Sequence, residues 1–571
     1  MASSPSSSAC MNRNTTTSNV SHPFWMDEED EEKRKEGDAI ARYCSSDGVD
    51  QGALREGIRE GGVEITQRWM DPVYSSTEIV ENMKMVVSLL LVLFLHHGVP
   101  ISSFSLQMAP FEDFQLLAPD AKEDADRIIR SAMNTTIVYD RLAYMTDTIG
   151  PRFSGTPALE QAIDWIVARA QEDGIIVKTE NVMVPRWVRG REFANLIAPR
   201  RKSLRMLGLG GSVGTGGTTL RAEAIVVSSF VELDRQKENI RGKIVVYNQE
   251  FVSYSETVVY RGYGASRAEA YGAVAALVRS ITPFGIQTPH TGSMHSSNIP
   301  AASITIEDAM MFARMQARGQ TLQIELYMEA HALLDAQSRN IILEIPGCTY
   351  SDEYVIVGGH TDSWDIADGA MDDGGGAFVS WEAVRLIHAL GLRPLRTIRA
   401  VLWTNEENGA RGAESYADNH ASELIRHSIA LESDVGTFSP NGISFAGSSD
   451  ARRILELIGG SLLSEIGSGN VSGVSVGEDV SFLNANGVPS GSLNVEDVRC
   501  GSDDNNPCLP YSHAPYPAFD EDNFLKSGYF WYHHTAADTI DKLSSRQLQH
   551  CAATLGVWVY AIANLPFLLP R

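Results

Sequence analysis

From about residue 338 to the C-terminus, short apolar runs alternate with stretches of helical periodicity, and this restricts the chain to very few architectures. The runs are NIILEI, YVIVGG, TIRAVLW, SIALES and GSLN. Helices are predicted over residues 374–390, 413–425 and 451–466, with a last apolar helix over 543–565. Strands alternating with helices imply an α/β fold on an open, mostly parallel sheet covered on both faces. In such sheets ligands bind beyond the carboxyl ends of the strands.

Polar residues of one chemical kind stand at those ends. His360 follows YVIVGG, the pair Glu406 and Glu407 follows TIRAVLWTN, and Asp434 closes SIALES. Asp372 and Asp373 precede Gly374, Gly375 and Gly376 at a predicted helix start, and His533 and His534 lie further on. Two imidazoles, one carboxylate able to bridge and two terminal carboxylates make a donor set for two divalent metals, and zinc suits it best. Each motif taken alone has a plainer meaning. An Asp before a helix is an N-cap, adjacent glutamates are usually a solvated pair, and spacing alone does not choose between His533 and His534. Asp362, two residues after His360, is placed to hydrogen-bond the other ring nitrogen and fix its tautomer. His388, His420 and His427 fall on helices or helix ends and read as surface residues. A complete ligand set at successive strand ends points to a metallopeptidase, with Glu406 free to shuttle protons.

Residues 191–335 have a different texture. AEAIVVSS, GKIVVYN and AASITI alternate with Gly-rich turns such as LGLGGSVGTGG, which predicts a separate β-rich domain inserted into the catalytic one. No strand–GxGxxG–helix unit frames those glycines, so dinucleotide binding is not indicated. Residues 106–190 read as a propeptide-like linker and the start of the peptidase domain, which resumes at 336–571. Within the first part, Thr156-Pro157 marks a helix start, with Leu159, Ile163, Ile166 and Val167 at helical spacing up to Gly174.

The net charge of -25 argues against nucleic acid as a partner, which would require a basic face. Six cysteines in 571 residues do not make a disulfide scaffold. Cys500 and Cys508 share a polar loop and are candidates to pair, whereas Cys348 and Cys551 sit in apolar contexts and read as core. Residues 1–82 are Ser/Thr-rich and then acidic, and read as a disordered extension. Residues 83–105 follow with Met83-Lys84-Met85, the apolar run VVSLLLVLFL and a polar exit, a pattern like a secretory signal peptide. That run is far short of the ~20 apolar residues that span a bilayer, so no stable membrane span is expected. A signal at this position implies translation starting at Met83 or Met85. The sequons at Asn134 and Asn470 fit secretion.

HTDSWDIADGAMDDGGG, LWTNEENGARG, LESDVGTF and HHTAADT resemble the co-catalytic di-zinc peptidase family. DTIGPRFSG, GKIVVYNQ, PHTG and GLRPLRTIR extend the resemblance over roughly residues 130–565. The resemblance implies a zinc exopeptidase fold with an inserted protease-associated-like domain. By motif, it implies that His360 and Asp434 hold one zinc, Glu407 and His534 hold the other, and Asp372 bridges the two. It favours Asp372 over Asp373 and His534 over His533. Glu406 would be the general base and Asp362 the carboxylate behind His360. Small peptides with free ends, especially dipeptides, are the implied substrates of a carboxypeptidase or dipeptidase that is secreted or lysosomal and homodimeric. Three other readings fit this architecture: an aminopeptidase, a single-zinc glutaminyl cyclase-like enzyme, and a receptor-like ectodomain without catalysis. The intact ligand set argues against the last. The long segment between GVPSGSL and HHTAADT departs from the family pattern and bears on specificity.

Overall fold

The computed structural model describes residues 117–283, 285–496 and 528–571. The acidic extension, the signal-like segment 83–105, and Cys500 and Cys508 lie outside the described residues. Residues Ala109–Arg571 form one compact unit, and it carries two eight-stranded sheets.

The first sheet runs in the order Ile176–Val188, His331–Ile345, Arg396–Trp403, Tyr350–His360, His427–Glu432, Ser490–Glu496, Ser439–Ser444 and Asn470–Ser472. Its four central strands, from Arg396–Trp403 to Ser490–Glu496, are parallel. Arg396–Trp403 and His427–Glu432 are buried at every position, as expected for strands covered on both faces. The strands alternate strictly between two cores. Val355, Val357, Ile398, Ala400, Ile429 and Leu431 face the helices Gly375–Ala389 and Ser545–Ala563. Ile356, Val401, Trp403 and Ala430 face Arg411–Asn419 and Glu478–Ala485. The α/β architecture read from the alternation is thus present, but the sheet is mixed. The strands Ile176–Val188 and Ser439–Ser444, not recognised in the sequence, pair antiparallel on either side of the parallel block.

The second sheet uses strands between Glu192 and Met328 only. Helices not foreseen from the sequence accompany its eight strands. Leu220–Val227, Ile244–Tyr247, Ala275–Arg279 and Ala301–Ile304 are parallel neighbours, and helices such as Val259–Ala270 and Ile306–Ala317 pack against them. Parallel neighbours need crossover connections, which contain helices between the first three of these strands, whereas none is described between Arg279 and Ala301. Gly262 and Gly264 lower the helix propensity of Val259–Ala270, which hid that helix in the sequence. The two sheets are joined by a ribbon in which Ile176–Val188 pairs antiparallel with His331–Ile345, from Ile176 opposite Glu344 to Val188 opposite His331.

Two smaller expectations are corrected. Cys551 is buried but Cys348 is exposed, because it lies in the turn after the strand that ends at Ile345. His427 is not a surface residue. It opens a buried strand and is held by the Glu423 carbonyl at Nδ1 (3.0 Å) and the Tyr416 hydroxyl at Nε2 (3.0 Å). His388 is exposed and His420 is half-buried between Glu180 and Glu423. Among the described residues no helix is long and apolar enough to cross a membrane.

Candidate metal centre

Register brings the candidate residues to one edge of the first sheet. His360 lies beside Trp403, and Gly358 lies beside Glu432, so the chain leaves three adjacent strands at the same level. From there His360, Glu406–Glu407 and Asp434 converge with Asp372 and His534, which come from segments before and after other helices.

The arrangement centres on Asp372. Its Oδ1 is 3.4 Å from His360 Nε2, and its Oδ2 is 3.2 Å from His534 Nε2. Asp434 Oδ1 lies 3.5 Å from His360 Nε2, and Glu407 Oε2 lies 3.0 Å from His534 Nε2. The two oxygens of one carboxylate therefore face two different imidazoles, each with its own further carboxylate. Glu406 Oε2 is 3.7 Å from His360 Nε2, beside the His360–Asp434 pair. His533 also approaches Asp372 Oδ2, at 3.4 Å, with its ring stacked on His534. Of the two, His534 is the one whose Nε2 reaches both Asp372 and Glu407.

The adjacent aspartates are divided by function. Asp373 accepts from the backbone N–H of His360 (3.0 Å) and of Gly376 (2.9 Å), so it caps the helix and ties it to the strand end. Gly376 permits that junction, because a Cβ there would fall 1.7 Å from the Ser433 carbonyl oxygen. The Asp362 expectation needs correction. Its carboxylate stands 3.6 Å from His360 Nδ1, and the ring nitrogen instead meets the Asp362 backbone carbonyl at 3.0 Å. A carbonyl only accepts, so Nδ1 carries the proton and Nε2 presents its lone pair to the site. The Asp362 carboxylate is engaged by the N–H groups of Glu406 (3.1 Å) and Glu407 (3.4 Å) and by the Ser154 hydroxyl (3.0 Å). It thereby sets the turn that presents both glutamates, in which Asn405 adopts the left-handed conformation that Asn tolerates.

The electrostatics call for a cation. Burial pushes Glu406 well above the usual carboxylate range, and it raises Glu407 to about 7, with the Asp372 charge adding to the effect. Asp434 is raised by burial as well. Burial would also raise Asp372, but His533, His360 and His534 hold it well below that range. His360 Nε2, Asp372 Oδ2, Glu407 Oε1 and Asp434 Oδ1 are buried and make no hydrogen bond. Buried groups of this kind are normally satisfied, and divalent metal would satisfy all four at once. Two groups of potential ligands are within reach of one ion each: His360, Asp372 and Asp434, and Asp372 with His533 and His534.

Two supporting residues lie inside quoted motifs, but no role was read for them in the sequence. Asp538 accepts from the backbone N–H of Met371 (2.7 Å) and Asp372 (3.1 Å), and fixes the bridging segment. Burial and the nearby Asp372 charge raise Asp538 to about 7. Arg152 is fully buried, and its guanidinium donates to the carbonyls of Thr361 (2.8 Å), Asp368 and Gly369 (2.8 Å). It staples the loop after His360 to the loop before Asp372. Arg152→Met should therefore strand three carbonyl groups and destabilise the fold by about 3 kcal/mol or more. Urea unfolding tests this, and a loss below about 1 kcal/mol would mean that other donors replace the guanidinium.

Residues 340–559 match the family model described as Peptidase family M28. Carboxypeptidase Q of Xenopus laevis is 44% identical over 438 residues, 76% of this chain and 87% of that protein. Carboxypeptidase Q of Homo sapiens is 42% identical over 438 residues, 76% of this chain and 86% of that protein. A solved peptidase M28 precursor from Shewanella amazonensis SB2B superposes with a TM-score of 0.70 at 30% identity, covering 79% of this chain and 98% of that one.

Proposed function

The chain belongs to peptidase family M28, in its carboxypeptidase Q-like group, and is a metallopeptidase; on that premise we propose that it holds two zinc ions and hydrolyses dipeptides and small peptides with free termini. The observation that carries the two-metal reading is Asp372, whose two oxygens face separate His–carboxylate pairs. His360 and Asp434 would hold one ion, Glu407 and His534 the other, and Asp372 would serve both. Imidazole and carboxylate donors in this number suit zinc.

When bound, the two ions lower the pKa of water and polarise the scissile carbonyl. The protein's own contribution is proton handling and orientation. Glu406 stands beside the ligands without belonging to either pair, which leaves its carboxylate free to accept a proton. It takes the proton from the attacking water and delivers it to the departing amine. Asp362 fixes Glu406 by its backbone N–H, and Asp538 fixes Asp372 in the same manner. Names of relatives supply the carboxypeptidase label, and a panel of dipeptides with blocked and unblocked ends distinguishes it from aminopeptidase or dipeptidase action.

Chelation should abolish hydrolysis, and added zinc should restore it with two ions per chain. Full activity in metal-free protein would end the reading, and a single ion with cyclising activity would favour a glutaminyl cyclase-like enzyme.

The same reading takes the protein to be secreted or lysosomal, glycosylated and homodimeric. Exposure of Asn134 and Asn470 supports the second point, and exposed Met183 and Leu334 on the ribbon between the sheets support the third. Glycosidase-induced mobility shifts and sedimentation of the secreted protein test both.

A further inference from the structure

We infer that residues 289–293 of the second-sheet region are a positioning device for one half of the metal centre, the half made by Glu407 and His534. The inference rests on the ligand assignment proposed above. It assigns a role to the motif PHTG, which the catalytic reading leaves unused.

The loop grips both ligands from outside the first sheet. The Thr291 N–H donates to the His534 carbonyl (2.9 Å), and the Thr291 carbonyl faces His534 Nδ1 at 3.3 Å. With Nδ1–H donating to that carbonyl, Nε2 is left free to ligate between Asp372 and Glu407. The Ser293 hydroxyl donates to the Glu407 backbone carbonyl at 2.8 Å. Thus one short loop sets the ring of one ligand and the main chain of the other.

The loop in turn is built into the second sheet. Thr291 Oγ1 donates to the Gly208 carbonyl (2.8 Å), the Gly210 N–H to the Gly292 carbonyl (2.9 Å), and the His290 N–H to the Ser280 hydroxyl oxygen (3.1 Å). Arg261, on the helix Val259–Ala270, closes it from above. Its Nε donates to the Ser293 carbonyl (3.2 Å), and its Nη1 donates to the Thr291 carbonyl (3.4 Å) and the Tyr254 hydroxyl (2.9 Å). That Nη1 also lies 3.4 Å from His534 Nδ1. The Thr291 carbonyl has two lone pairs and accepts from both neighbours, so the guanidinium does not require the opposite imidazole tautomer. Gly292 is at φ +135°, and a Cβ there would lie 2.4 Å from the guanidinium carbon of Arg261. Only glycine allows Arg261 this approach.

The other half of the centre is fixed differently. His360 is held by the Asp362 carbonyl and by Asp373, and the Ser433 N–H before Asp434 donates to the Gly358 carbonyl at 3.0 Å. These contacts stay within the first sheet and its loops. The ligands of the two metal positions therefore take their direct hydrogen bonds from different parts of the chain, and only the Glu407–His534 half is held directly by the second-sheet loop.

The test is metal binding rather than turnover. Apo-protein is titrated with zinc against a competing chelator for the wild type, Ser293→Ala, Ser293→Thr, Arg261→Met and Gly292→Ala. Ser297→Ala serves as a control, because its hydroxyl binds Glu269 instead. Outer partners of metal ligands are worth about 10–100-fold in affinity. Ser293→Ala, Arg261→Met and Gly292→Ala should each weaken one ion by a factor in that range, the same ion that Glu407→Gln weakens. The second ion should keep its affinity, and Ser293→Thr should restore the first. Thermal midpoints accompany each titration to separate loosened positioning from unfolding. Equal weakening of both ions in Ser293→Ala at an unchanged midpoint would overturn the inference, as would two unchanged affinities. A wild type that binds fewer than two zinc ions would overturn the ligand assignment itself, and the inference with it.

Discussion

Glu406→Gln is expected to retain both zinc ions and lose turnover by ~10²–10⁴-fold, the range for removal of a general acid–base group. Glutamine keeps the shape and hydrogen-bonding capacity of the side chain but accepts no proton. Glu406 lies 3.7 Å from His360 Nε2, while its neighbour Glu407 lies 3.0 Å from His534 Nε2, so the two glutamates should respond differently. Glu407→Gln should weaken the metal site, because a neutral amide is a poor zinc ligand. Zinc per chain and dipeptide turnover measured on both variants decide the matter. Loss of zinc in Glu406→Gln with retention in Glu407→Gln would exchange the two roles.

The second large effect is at Asp372. A bridging carboxylate touches both ions, so Asp372→Ala should lose occupancy at both positions and with it all measurable hydrolysis. Asp373→Ala should behave otherwise. It removes acceptors for the backbone of His360 and Gly376, at a cost of about 1–2 kcal/mol of stability, while most of the zinc stays. Zinc content and the unfolding midpoint are read together. Equal zinc loss at equal midpoints would mean that the bridge lies elsewhere, whereas a midpoint collapse in Asp372→Ala alone would point to failure of the loop.

Much of the first sheet was legible because its central strands are buried on both faces. Such strands read as unbroken apolar runs, and the helices between them are long enough to show their period. His360, Glu406, Glu407 and Asp434 were visible for the same reason, since each follows a run that ends at the same sheet edge. The antiparallel flanking strands were not recognised. Ile176–Val188 is mostly exposed or half-buried and contains Pro185, and Ser439–Ser444 is short with Pro440 and Gly442. Neither carries a clear period.

The sequence by itself determined the α/β class, the order of the strands that present the ligands, and the kinds of donor atom at their ends. These follow from hydrophobic periodicity and residue chemistry, which are local properties. Tertiary structure alone decided which atoms meet. Asp372 faces the histidines while Asp373 turns to the helix, and the Asp362 side chain serves the glutamate turn, leaving its carbonyl to orient His360. Arg152, Asp538 and the loop around Thr291 come to the site from sequence positions far from the residues they hold. Contacts of that kind are made by side chains and carbonyls whose partners are chosen by packing, and no spacing along the chain records them.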